Sequence, residues 1–234
     1  MRLNAYIAKA GFCARRKADV YIKGGEVKVS DNVVVEPWYV IKDGDKITIN
    51  GKALAAEKEV YLVVSKPKGV TATLEDKFAA RKITELIPRK YGRLYPVGRL
   101  DKDSRGLIIL TNDGEFCYRL THPKFEIEKE YVVLVEGLPA DLKLADIKKG
   151  VWDDGDVLKV KSCNVIGTDN GKTELSLIIC EGKKRHIRRI FKHIDVKILD
   201  LKRVRVGGLK LGGMRDGTFK VMKKAEIYAL ALKS

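Results

Sequence analysis

Three observations predict a mixed α+β fold built in two parts. Apolar residues recur at helical spacing in some segments and alternate like strands in others, without the strict strand-then-helix succession of a wound parallel sheet. Turn signals at Ser30-Asp31-Asn32, Asp43-Gly44, Asn50-Gly51 and Asn112-Asp113-Gly114 fall at the short spacing of hairpins. Between two patterned regions, Gly51 to Lys58 follows neither period and reads as a linker, leaving residues 1–50 as one domain and 59–234 as another. With 234 residues, 45% of them hydrophobic, the chain carries enough apolar material for one or two cores.

In the first domain Leu3, Ile7 and Ala10 keep helical spacing up to Gly11, and Ala14 to Lys23 reads as a second helix ended by Gly24-Gly25. Val27 and Val29, Val33 to Val35, and Lys46 to Ile49 then alternate as small strands around polar turns. Arg2, Lys9, Arg15, Arg16 and Lys17 load the helices with charge. That pattern fits a solvated face and a phosphate-tracking surface equally well.

The longer region begins with a strand, Tyr61 to Ser65, closed by Lys66-Pro67-Lys68-Gly69, where proline has no N–H to give a ladder and glycine permits a turn. Ile83, Leu86 and Ile87 share one face over Arg81 to Tyr91, which predicts a short helix broken at Pro88. An apolar run from Gly106 to the Asn112-Asp113-Gly114 turn reads as a buried strand, and a helix around Phe116 to Leu120 follows until His122-Pro123 breaks it. Glu128 to Val135 is a strand with Lys129, Tyr131 and Val133 on one face. Leu142 to Lys149 suggests a helix, and Val157 to Val165 and Thr173 to Cys180 suggest strands. Ile187, Ile190, Phe191 and Ile194 make the next segment an amphipathic helix with a basic opposite face. Leu199 to Val206, Leu209 to Leu211 and Thr218 to Met222 are strand-like between glycines, with a last helix from Lys224.

The charge balance points to a polyanionic partner. Lys and Arg number 47 against 31 Asp and Glu, a formal net charge of +16 spread along the chain. Nucleic acid fits best, because neutralising phosphates releases condensed counterions. No run approaches the roughly 20 apolar residues that span a bilayer, and the N-terminus lacks the apolar stretch of a signal peptide, so the cytoplasm is the expected compartment. Cys13, Cys117, Cys163 and Cys180 lack zinc-ligand spacing and read as buried thiols; the three histidines, His122, His186 and His193, form no metal motif.

Just before the apolar run that starts at Gly106, Asp101 sits between Arg99 and Lys102 on a connecting loop. Two positive neighbours favour its ionised form and a loop held between strands fixes its direction, which suits a nucleophile or base; the same spacing suits an ordinary surface ion pair.

Two resemblances extend this reading. Arg2-Leu-Asn4 through Gly11, then Cys-Ala-Arg-Arg16-Lys-Ala-Asp19, Ile22, Gly25, Val27 and Val29, resemble the S4 RNA-binding domain. Ala14 stands where that pattern has a capping Ser, weakening the helix start by ~1 kcal/mol, and Ser30-Asp31 replaces its Asn-Gly turn. Arg15 and Arg16 remain, so RNA binding is still implied. Farther on, Lys66-Pro67, Tyr95-Pro-Val-Gly-Arg-Leu-Asp101, Gly106-Leu-Ile-Ile-Leu-Thr-Asn-Asp-Gly114, His122-Pro123, Glu128-Lys-Glu-Tyr131 and Glu181-Gly-Lys-Lys-Arg-His-Ile-Arg-Arg-Ile-Phe191 resemble the RsuA family of ribosomal RNA pseudouridine synthases. The S4-like head and this body cover essentially the whole chain in that family's order.

The second resemblance implies a body with a mixed, mainly antiparallel sheet and flanking helices. It also implies a reaction that needs no metal or redox cofactor, in which the N1–C1′ bond of uridine breaks, the uracil turns, and C5 joins C1′. Asp101 would be the catalytic carboxylate, attacking C1′ or the uracil ring or assisting proton removal from the sugar. Tyr131 would stack on the extruded uracil with its hydroxyl near a proton, and Arg188 would pair with Asp101. Lys66, Arg99, Lys102, Lys183, Lys184, Arg185 and Arg189 are expected on the RNA backbone. His186 stands where relatives often place Gln, and Ser104-Arg105 where Thr with a small neighbour is frequent. The expected partner is ribosomal RNA of either subunit, met by a monomer.

Two readings compete. A non-catalytic RNA-binding assembly factor would use the same basic surface, but Asp101, Tyr131 and Arg188 together count against it. A nucleotide-dependent enzyme is suggested by Gly207-Gly208-Leu-Lys-Leu-Gly212-Gly213 and fails, since no Lys-Ser or Lys-Thr follows and no GxGxxG opens a helix.

Overall fold

The computed structural model describes residues 1–73, 80–138 and 144–233. Two compact units divide the chain: Met1–Glu59 with Arg89–Arg93 and Asn112–Gly114, and Val60–Pro88 with Leu94–Thr111 and Glu115–Ser234.

In the first unit α1 (Leu3–Lys9) and α2 (Arg15–Lys23) precede β1 (Val27–Val29), β2 (Asn32–Val33), β3 (Ile47–Ile49) and β4 (Lys52–Ala53). The strands order β2-β1-β3-β4, all antiparallel. Leu3, Ile7, Ala18 and Ile22 from the helices close over Val27, Val29, Ile47 and Ile49, which is the periodicity read in the sequence. Ala14 caps α2 with no side-chain bond. The helix pair is tied instead by Arg15 Nε donating to Asn4 Oδ1 at 3.1 Å and Asn4 Nδ2 donating to Asp19 Oδ1 at 2.7 Å. Ser30 and Asp31 turn β1 into β2 with φ of 47° and 70°, both left-handed, as a two-residue hairpin demands. The stretch expected to be linker contributes β4; a two-residue strand is too short to show alternation in a sequence.

The second unit is organised on one large sheet. Its strands are β5 (Tyr61–Lys66), β6 (Tyr95–Pro96), β7 (Arg105–Thr111), β8 (Lys129–Glu136), β11 (Ser162–Asp169), β12 (Lys172–Ile179), β13 (Lys197–Val206), β14 (Leu209–Lys210) and β15 (Phe219–Met222), with β9 (Val151–Asp153) and β10 (Asp156–Leu158) as a separate hairpin. The order is β11-β12-β8-β13-β7-β5-β15, with β14 on β13 and β6 on β7. Among the described residues the strands pair antiparallel except β13 with β7, so the sheet is mixed and mainly antiparallel. Helices α3 (Gly114–Thr121), α4 (Leu144–Lys149), α5 (His186–His193) and α6 (Lys224–Ala231) flank it. Phe116, Leu120 and Ile227 pack on Tyr61, Val63, Leu107 and Ile109 to form the core of one face.

Three expectations differ in detail. Arg81 to Tyr91 is not an α-helix but two 3-10 turns, Ile83–Leu86 and Arg89–Tyr91, because Pro88 forces Ile87 into extended backbone at φ −122° and ψ 143°. The strand expected over Val157 to Val165 is two strands, β10 and the start of β11, with no glycine or proline in the sequence to mark the break. Of the helix expected over Leu142 to Lys149, Leu142 and Lys143 lie outside the described residues; the remainder is α4. All four cysteines are free, Cys13 and Cys163 buried and Cys117 and Cys180 half-buried. Burial pushes the Cys163 thiol up to about 11. Among the described residues no helix is long and apolar enough to cross a membrane.

Candidate active site

The loop between β6 and β7 carries Asp101, and the carbonyls of Asp101, Lys102 and Asp103 are each tied down by a donor. Ser104 N–H donates to Asp101 O at 3.0 Å and Gly69 N–H to Lys102 O at 2.9 Å. Arg188 Nη2 donates to Asp103 O at 3.1 Å. Three anchors from three parts of the chain fix the direction of a short loop, as a positioned carboxylate requires.

Arg188, on α5, also lies 3.8 Å through Nε from Asp101 Oδ2, close enough for an ion pair and too far for a hydrogen bond. Among the described residues no hydrogen bond reaches the Asp101 carboxylate, so its oxygens are oriented electrostatically yet open to a reactant. Tyr131 lies on β8, 7% exposed, its hydroxyl without a hydrogen-bond partner among the described residues. Asp101, Tyr131 and Arg188 all line one cavity of about 70 Å³, walled by Leu100, Ile179, Ile187 and Leu201. A recessed carboxylate, a phenol and a guanidinium against apolar walls can hold a planar ring and act on the atom beside it.

The basic residues expected around this cavity divide into groups. Arg99, Lys183 and Arg185 line it, and with Lys102 and Lys184 they border a wider groove of about 650 Å³ that opens over Asp101. On the first unit Arg2, Arg15 and Arg16 are exposed, while Lys9 pairs with Glu59 at 2.9 Å.

Two expectations are corrected. Lys66 is 0% exposed, and its ammonium donates to Pro67 O at 3.0 Å, Val70 O at 2.7 Å and Lys102 O at 3.4 Å; it holds the Asp101 loop from beneath and cannot reach an RNA backbone. Burial drives its pKa down to about 8 against a smaller opposing pull from Asp101. Arg189 turns away from the groove. It pairs with Asp153, and with Asp156 through Nη1 at 2.8 Å, bracing α5 against the β9–β10 hairpin. Arg105 likewise is spent on the protein's own acids, 2.7 Å from Asp200 through Nη2.

Other residues of the site were noted in the sequence without a role, as His186, Ser104 and Lys129 were, or, like Arg203, carried no signal there. His186 is 4% exposed, its Nε2 3.0 Å from Lys159 O, and burial lowers its pKa. Ser104 is buried with its hydroxyl 3.4 Å from Arg188 Nη2. Lys129 and Arg203 line a second cavity beside Tyr131. Gly106 makes that juxtaposition possible: at φ +103° it lies opposite Arg203, and a Cβ there would stand 2.8 Å from the Arg203 backbone nitrogen.

Known proteins resemble this chain from end to end. Residues 60–193 match the RNA pseudouridylate synthase family and residues 1–47 match the S4 domain. The chain is 37% identical to ribosomal large subunit pseudouridine synthase B of Bacillus subtilis, over 98% of this chain and 95% of that protein. It is 34% identical to an uncharacterized RNA pseudouridine synthase of Aquifex aeolicus, over 98% and 96% of the two chains. A solved structure described as a pseudouridylate synthase superposes with a TM-score of 0.68 at 26% identity, covering 98% of this chain and 99% of the other. The fold, the head and the motifs around Asp101 converge with these likenesses on one assignment: this chain belongs to the RNA pseudouridylate synthase family, isomerases that carry, here, an S4 domain at the front.

Proposed function

We propose that the chain isomerises uridine to pseudouridine at defined positions of ribosomal RNA, with Asp101 acting on a nucleotide extruded into the cavity beside Tyr131. The observation that carries this is the meeting of Asp101, Tyr131 and Arg188 in one recess, with the carboxylate oxygens left open. A base inside a duplex cannot enter such a recess, so the target must be unpaired or flipped out. Tyr131 offers its ring to the uracil, and its uncommitted hydroxyl can take part in the proton transfer that restores the ring. Arg188 holds the carboxylate in place at the sugar or the base. Around them Arg99, Lys102, Lys183, Lys184 and Arg185 track the RNA backbone, and Arg2, Lys9, Arg15 and Arg16 on the head, residues 1–50, add a second grip. Beyond β4, the last strand of the head, the rest of the stretch 51–58 leads into the catalytic body, 59–234. Ribosomal RNA as substrate is supported by the name of the Bacillus subtilis relative. The enzyme works as a monomer in the cytoplasm.

The test is tritium release from unmodified ribosomal RNA labelled at uracil C5, since joining C5 to C1′ must exchange that hydrogen. Wild type should release tritium and Asp101→Asn should not, with RNA affinity nearly equal. Substantial turnover by the variant would refute the role of Asp101. No release from RNA of either subunit despite tight binding would point to an assembly factor.

A further inference from the structure

The second cavity, about 130 Å³, shares Arg99, Tyr131 and Gly182 with the one that holds Asp101. Three cations line it, Arg99, Lys129 and Arg203, and among its described lining residues there is no carboxylate. The neighbouring acids on or beside β8 are already engaged: Glu128 by Lys161 at 2.7 Å and Arg205 at 3.0 Å, and Glu130 by Arg205 at 2.7 Å. Arg203 faces Tyr131 across the β13–β8 pair, and Lys129 precedes Tyr131 by two residues on the same strand face.

Arg203 is 4% exposed. Its Nε donates to Leu107 O at 2.7 Å, and among the described residues neither terminal nitrogen has a partner. Lys129 spends its protons on backbone alone, Ile127 O at 2.9 Å and Cys180 O at 3.4 Å. Burial, and then the nearby Arg203 charge, hold the Lys129 ammonium down at about 8. Buried cations crowded together without a counter-charge are costly unless a bound anion completes them.

We propose that this cavity is an anion subsite that takes a phosphodiester of the RNA strand next to the nucleotide presented to Asp101. The planar fork of Arg203 matches two phosphate oxygens, and Arg99 spans both cavities, so a phosphate here and a base there belong to neighbouring nucleotides of one strand. The assignment rests on the function proposed above, and inorganic phosphate carries the same chemistry without the strand.

The test uses the full chain and a single-stranded ribosomal RNA fragment, with affinity measured across a salt series at pH 7. Each phosphate contact contributes about 0.7 to the slope of log K against log salt on single-stranded nucleic acid. Lys129→Gln and Arg203→Gln should each flatten the slope by about that amount, and Arg203→Lys should restore it, with melting curves as the check on folding. An unchanged slope in a folded Lys129→Gln protein overturns the proposal even where Arg203→Gln fails to fold. Inorganic phosphate titrated into RNA-free protein should shift the Gly98 and Gly182 amide resonances saturably in wild type and not in Lys129→Gln. Saturation with no change in the RNA salt slopes would assign the cavity to a free anion and overturn the RNA subsite. Absence of tritium release by wild type, with the slopes as expected, would refute the reaction and leave the subsite supported.

Discussion

Replacing Lys66 by methionine separates an internal anchor from an RNA contact. In the folded protein its ammonium titrates at about 8 against an ordinary 10.5, a difference of about 3 kcal/mol at 1.36 kcal/mol per pH unit. The unfolded chain keeps the proton more tightly. Between about pH 8 and 10.5 it therefore binds more protons than the native state, and stability rises with pH across that window; below it both states are protonated and the contribution is flat. At pH 7 methionine relieves the buried charge but leaves Val70 O and Pro67 O without their donor, at about 1–3 kcal/mol each, so the net change should be small. At pH 9.5 wild type should have gained roughly 2 kcal/mol over Lys66→Met relative to pH 7. Lys129 is present in both proteins and cancels. Urea unfolding at the two pH values measures the difference directly. A stability gap that does not move with pH would refute the buried-ammonium account. The same variant should keep the salt slope of RNA binding and lose turnover, since Lys102 O is then held by Gly69 alone.

Gly106→Ala should cost about 3 kcal/mol or more in urea unfolding, because its left-handed backbone and the Arg203 main chain leave no room for a methyl group; stability within ~0.5 kcal/mol of wild type would contradict that packing. Ser30→Asn with Asp31→Gly should stabilise the head by about 1 kcal/mol, both positions being left-handed in the turn between β1 and β2, and a lower melting temperature would count against it. Arg189→Met should speed hydrogen exchange across β9 and β10 while leaving the RNA salt slope as it was; a flattened slope would return Arg189 to the RNA surface.

Much of the fold was legible because period and punctuation agree. Leu3 and Ile7 declare α1, Ile187, Ile190 and Phe191 declare α5, and the run from Leu107 to Leu110 declares β7. Asp101, Tyr131 and Arg188 were legible as a set through motifs far apart in the chain, and they meet in one cavity. What the sequence hides is the inward or outward sense of charged residues. Lys66 and Lys68 flank one proline, yet Lys66 is buried and Lys68 pairs with Asp200 on the surface. Within Lys202-Arg203-Val204-Arg205 nothing in the letters tells which arginine turns inward. A register shift between Arg203 and Arg205 decides it, leaving Arg203 beside Tyr131 and Arg205 with Glu128 and Glu130.

The parallel pairing of β13 with β7 sets the order in which the enzyme can come alive. The strand after Asp101 and the strand of Tyr131 do not touch; β13 lies between them, about a hundred residues downstream of β7. During synthesis the helices and short strands of the first unit can pair locally, whereas β7 and β8 are joined through β13 only once the chain has passed Val206 and a long loop has been gathered in. An incomplete chain that already contains Asp101, Tyr131 and even Arg188 still lacks the strand that bridges β7 and β8. The three residues that share one cavity are thus brought there by a strand synthesised after all of them.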